Sequence, residues 1–172
     1  MDNAQMTSQL AQISTVNGIE KLNATLQALM DDSSETQAMQ AAALVGHGVL
    51  VPGSGMTLQE GMAIAGVELS EPADRVTISI NDAHGMPVKV IDLGAKAAGS
   101  HSFSWDGTAD NGAQAADGRY SLSVSAVRGD AKVNAAALEL GVVSSVARGA
   151  KGVSLNVGGL GVFSLNDVRQ IL

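Results

Sequence analysis

The chain has 172 residues, a mass of 17.4 kDa, 45% apolar but only 2% aromatic residues, and no cysteine. That suffices for one domain or two small ones with cores of Val, Leu, Ile and Ala, and it excludes disulfide stapling, thiol catalysis and cysteine-based metal sites. A formal net charge of −7, with ten Lys and Arg spread along the chain without a basic cluster, argues against nucleic acid and anionic membranes and leaves proteins as the expected partners. No apolar run approaches the roughly 18 to 20 residues of a membrane span, and the N-terminus lacks the charged-then-apolar pattern of a cleaved signal. A soluble chain without a Sec-type address is expected. Its opening at Met1, directly into a helical pattern, points to further residues upstream in the natural protein.

The first thirty residues carry the strongest pattern. Met6, Leu10, Ile13, Val16, Ile19, Leu22, Leu26 and Leu29 recur at steps of three and four, the spacing of an amphipathic helix. At about 100° per residue, the three-residue steps from Ile13 to Leu22 carry the stripe backwards round the cylinder. Met6, Leu10 and Ile13 share one face, and Ile19, Leu22, Leu26 and Leu29 lie on a nearly opposite one. Asn17-Gly18, a weak helix pair, sits at the changeover. Such a helix either bends there or touches different partners along its length, and the second reading is preferred. Asp31-Asp32-Ser33-Ser34 reads as a polar break. Ser34 and Gln37 have capping-box spacing, so a second short helix is expected from about Glu35 to Leu44, ending at Gly46.

The period then changes. His47 to Pro52 and Met62 to Leu69 are short runs expected to be barrel-type strands, the second interrupted by Gly66. Val76, Ile78 and Ile80 alternate with Thr77, Ser79 and Asn81; Asp82-Ala83-His84-Gly85 supplies a turn, and Val88 to Leu93 returns. His101, Phe103 and Trp105 alternate with serines, as do Tyr120, Leu122, Val124 and Ala126. These strands predict an antiparallel immunoglobulin or fibronectin III-like sandwich over residues 70–135. The later runs Val142 to Val146, Val153 to Val157 and Val162 to Leu165 resemble the strands before it. The expected arrangement is a small barrel from residues 42–69 and 136–172, with the sandwich inserted and residues 1–41 as a separate helical segment. A last helical turn is expected from Asn166, with Val168, Ile171 and Leu172 closing the barrel.

Chemistry is hard to find. Asp106, Asp110, Asn111 and Asp117 lie in a glycine-rich loop and could be read as calcium ligands, but counted from Asp106 the EF-hand spacing fails at Thr108 and lacks the closing glutamate. Asp and Asn beside glycine are ordinary turn residues, and turns are expected here rather than a metal site. His47, His84 and His101 show no paired-ligand spacing: His84 is expected in a turn, and His101 as a hydrogen-bonded structural imidazole on the inward register. No serine sits in a nucleophile elbow, and Gly53-Ser54-Gly55 lacks the lysine of a phosphate loop. No catalytic, cofactor or metal residue is assigned. Trp105 and Tyr120 would stack on a sugar if exposed, but their register places them inside. The helix remains as the candidate functional element.

Four stretches resemble one family. TSQLAQISTVNGIEKLN (7–23), ALVGHGVLVPG (43–53), GSHSFSWDGTADNGAQAADGRY (99–120) and SLNDVRQI (164–171) are together similar to the flagellar hook assembly scaffold or hook-capping proteins, the FlgD family. The third also resembles sandwich modules appended to secreted bacterial enzymes, so the alternative is a carbohydrate- or surface-binding module. The resemblance spans essentially the whole chain. It implies a mainly β fold in which a small tudor-like barrel carries an inserted fibronectin III-like sandwich behind an N-terminal helix. It also implies a non-enzymatic, homo-oligomeric cap, a pentamer by family, exported by the flagellar type III apparatus. The cap would sit transiently at the distal end of the growing hook, holding hook protein subunits as they join. Leu10, Ile13 and Val16 are assigned to one contact surface of that cap and Ile19, Leu22 and Leu26 to the other, one for sister subunits and one for the hook.

Overall fold

A computed structural model describes residues 3–149 and 152–172. One long helix, α1 (Asn3–Ala42), leads into an all-β body. The expected break at Asp31 to Ser34 is absent and no second helix begins at Glu35. Asp and Ser lower helix propensity by only tenths of a kcal/mol each, and without Pro or Gly nothing stops the i→i−4 ladder. Thr36 returns its hydroxyl to the Asp32 carbonyl at 3.1 Å, within the same ladder.

Strand β1 (Gly48–Pro52) and the short β2 (Gly55–Leu58) open the body, and β3 (Ala63–Leu69) follows after a two-residue turn. Then come β4 (Ala73–Asn81), β5 (Pro87–Lys96), β6 (Gly99–Trp105), β7 (Gly118–Arg128) and β8 (Ala131–Val133). The 15-residue β9 (Ala135–Gly149), β10 (Gly152–Val157) and β11 (Gly161–Ser164) lead to a 3₁₀ turn (Leu165–Asp167) and β12 (Gln170–Ile171). The expected terminal helix is thus a single 3₁₀ turn followed by a strand, capped by Ser164 and Asp167 rather than Asn166. Val168 packs inward, whereas Ile171 and Leu172 are exposed.

One sheet runs β11-β10-β9-β1-β12, with β3 and β6 attached through β9; the other runs β2-β7-β4-β5, with β8 on β7. The protein is therefore mainly β, a barrel-like sheet carrying a sandwich, as the period changes along the chain imply. The alternating register is met, with Val76, Ile78, Ile80, Phe103, Trp105, Leu122 and Ala126 buried. Met56, Leu58, Ala63 and Ala65 join this sandwich core. β2 bonds to β7, and β3 lies between β6 and the barrel strand β9. Residues 55–69, expected with the barrel, thus pair chiefly with sandwich strands. Gly66 is required where β3 is squeezed, since a Cβ there would lie 2.9 Å from Leu50 Cδ1 and 3.1 Å from the His101 carbonyl.

The barrel cluster is built from Val49, Val51, Val143, Val153, Leu155 and Val157, and Ala41 of α1 is fully buried against it with Ala38 beside it. Half-buried Ser34 lies on the same helical face by spacing. Small side chains at these positions let the last two turns of α1 settle on the β9–β10 hairpin. This packing holds the helix through the polar stretch.

Candidate functional site

Upstream of Ser34, the described large apolar side chains of α1 are exposed. Leu10, Ile13, Val16, Ile19, Leu22 and Leu26 are each more than half exposed, and Leu29 and Met30 are as open. Met6 lies outside the residues whose side chains are described. The helix does not break at Asn17-Gly18, so along one rod Leu10, Ile13 and Val16 drift round to meet Ile19, Leu22 and Leu26 on another side. Shallow dents line these faces, one at Ile13, Val16 and Asn17 and a second at Gly18, Lys21, Leu22 and Thr25. Seven large aliphatic side chains in water on one projecting helix are unusual for a monomer, in which large contiguous apolar surface marks an interaction site. The arrangement can bind.

Other candidates take structural places. Asp106 accepts the Thr108 N–H at 2.9 Å, Asn111 that of Ala113 at 2.9 Å, and Asp117 that of Glu60 at 3.0 Å. Asp110 binds the Val90 N–H and pairs with Lys89 at 3.1 Å. Each is spent on a turn or strand end. These bonds hold the Asp106 carboxyl below the ordinary carboxylate range, chiefly through the Thr108 N–H. The same holds for Asp82, whose carboxylate takes the Met86 and His84 N–H groups in the expected turn. His101 is half-buried and its Nε2 lies 2.8 Å from the Ala97 carbonyl. Trp105 is buried and meets Tyr120 edge-to-face at 5.1 Å, with Nε1 donating to the Thr108 carbonyl and the tyrosine hydroxyl to that of Ala116. No sugar-stacking platform is present at this pair.

Sequence reasoning missed the joint between the two sheets. Glu139 on β9 is the buried charged residue among those described. One oxygen takes Arg119 Nη2 of β7 at 2.8 Å, and the other accepts the Gly55 N–H of β2 at 3.0 Å. Gly55 cannot carry a side chain, because its Cβ would lie 2.4 Å from the carboxylate. Within the barrel sheet, Arg169 reaches Glu68 of β3 at 2.8 Å, which raises the arginine's affinity for its proton, and its backbone N–H donates to the Leu50 carbonyl of β1. A lone glycine pair and a strand glutamate gave no sequence signal for these links.

Comparison with known proteins settles the ancestry. A family model described as the FlgD Ig-like domain matches residues 53–130, and one described as the N-terminal region of flagellar hook capping protein matches residues 1–28. The chain is 44% identical over 180 aligned residues to basal-body rod modification protein FlgD of Escherichia coli (strain K12), covering all of this chain and 78% of that protein. The chain belongs to the FlgD family. The Salmonella typhimurium member is 41% identical over the same shares of both chains. Among solved structures, FlgD from Xanthomonas campestris superposes with a TM-score of 0.63 at 37% identity, covering 79% of this chain and 99% of that one. FlgD from Pseudomonas aeruginosa gives 0.60 at 28%, covering 75% and 98%. The matched Ig-like span begins at Gly53 and holds β2 to β7, ending just before β8.

Proposed function

We propose that this chain is a non-enzymatic scaffold that caps the growing bacterial flagellar hook and promotes incorporation of hook protein subunits. Family membership over the whole chain, with a hook-capping N-terminal match on the helix itself, supports this reading. The observation that carries it to particular residues is the projecting α1 with its apolar side chains uncovered. The body is the barrel and sandwich; the arm upstream of Ser34 is the assembly element. A cap must hold its place and reseat as each subunit arrives, which calls for modest, repeatable contacts rather than one large obligate interface. Two narrow aliphatic stripes on one helix provide that: Leu10, Ile13 and Val16 on one side, Ile19, Leu22 and Leu26 on the other, one set for sister cap subunits and the other for hook subunits at the distal end. A pentameric cap and delivery through the flagellar type III apparatus complete the reading.

The test places Leu10→Asp and Leu22→Asp separately in the full-length protein in cells. Each is expected to shorten or abolish hooks while leaving the protein folded. If hook length were unchanged in both, the assembly role of α1 would be wrong.

A further inference from the structure

We propose that α1 of one copy docks into a groove on the body of a second copy, with Met62 of that copy seated over Gly18. This rests on the self-assembly just described and names its second surface. The groove, of about 800 Å³, runs between the β2–β3 turn and the β9–β10 strands, with Met62, Ile64, Leu140 and Val142 among its lining. Met62 and Val142 are more than half exposed there. Its rim is acidic: Glu60 lines it, and Asp117 accepts the Glu60 N–H. Glu60 has a φ of 54°, a left-handed conformation that glycine or asparagine fits with less strain, so the carboxylate at this rim is kept against the local backbone preference.

The helix offers the complement. Gly18 sits in the middle of α1, where glycine weakens a helix, and a Cβ there would meet nothing within 4 Å. Neither a turn nor packing within the chain calls for it. What the missing side chain leaves is a dent bordered by Lys21, Leu22 and Thr25, of a kind that takes an unbranched methionine. Lys21 is the one lysine or arginine in the first 74 residues, and it borders the dent. An apolar dent flanked by a cation thus matches a groove that sets Met62, Ile64, Leu140 and Val142 beside an acidic rim. The chain's own groove is not the occupant's seat, because Leu22 is 65% exposed and Gly18 lies about 30 Å along the helix from Ala38, where α1 leaves the body.

The cysteine-free sequence permits a direct test. Chains carrying Gly18→Cys and chains carrying Met62→Cys are mixed and mildly oxidised, and the products are separated without reductant. The expected product is the mixed 18–62 dimer. In parallel, light scattering should show Lys21→Glu and Glu60→Lys each weakening self-association by about five- to tenfold, with the double variant restored. Dimers linked only 18–18 would mean that helix packs on helix, overturning the groove while sparing self-assembly. Self-association unaffected by Glu60→Lys, with hook elongation lost, would assign the groove to a hook subunit and likewise overturn the proposal. A wild-type chain that stays monomeric at every concentration would overturn both readings.

Discussion

Glu139 is the clearest case of a single side chain joining elements that the chain brings together late. Its carboxylate answers to β2 through a backbone N–H and to β7 through a guanidinium. Removing it in Glu139→Ala orphans the Gly55 N–H in a buried place, which costs about 1–3 kcal/mol. Arg119 is 62% exposed, so it rehydrates and adds little to that loss. Glu139→Gln keeps an acceptor for Gly55 and should lose less; urea denaturation of the two variants distinguishes them. The opposite sign is expected at Glu60. Asparagine tolerates its left-handed backbone, so Glu60→Asn should raise stability by up to about 1 kcal/mol in the same assay. Neither position was legible beforehand. In the sequence Glu139 is one more polar residue in a strand, and its partner Arg119 lies 20 residues away. The left-handed turn at Glu60 is hidden because glutamate is not a residue that advertises it. Residues with a strict two-residue period, such as Val76, Ile78 and Ile80, were legible because one buried face determines them.

At the scale of elements, α1 was readable in its period and misread in its end. Spacing shows which side chains are apolar, but whether four polar residues end a helix depends on what the next turns touch, here Ala38 and Ala41 on the barrel. The same blindness applied to β2, whose four residues between glycines look like loop until Met56 and Leu58 are seen in the sandwich core. Its pairing with β7, and that of β3 with β6, moves the sandwich's start upstream of Ser70. Truncation makes the division of α1 measurable. A chain starting at Ser34 should keep its thermal midpoint and become monomeric in light scattering across a concentration series. A chain starting at Ala42 also loses Ala38 and Ala41, and should be less stable by about 1–2 kcal/mol from the buried methyl groups alone. If both cuts left self-association intact, assembly would not reside in the arm.

For the molecule as a whole, stability should be flat from neutral to mildly acidic pH and fall in strong acid. Asp82 is held below the ordinary aspartate value of 3.8 by the Met86 N–H, Asp106 by the Thr108 N–H, and Asp167 by the Ser164 hydroxyl and N–H. A carboxylate whose folded value is lowered contributes stability that is complete above the unfolded value and is lost as pH falls through the folded one. Thermal midpoints by circular dichroism should therefore hold down to about pH 5 and drop below about pH 4, and Asp82→Asn should flatten part of that drop. The long helix has a mechanical consequence as well. Leu10 lies 28 positions from Ala38, so with a rise of 1.5 Å per residue the arm is about 42 Å long. A tilt of only about 10° where α1 rests on the hairpin would sweep its tip through about 7 Å, more than one helical turn. A methyl-sized change under Ala38 or Ala41, far from any partner, would thus be magnified into a different angle of attack at the far end.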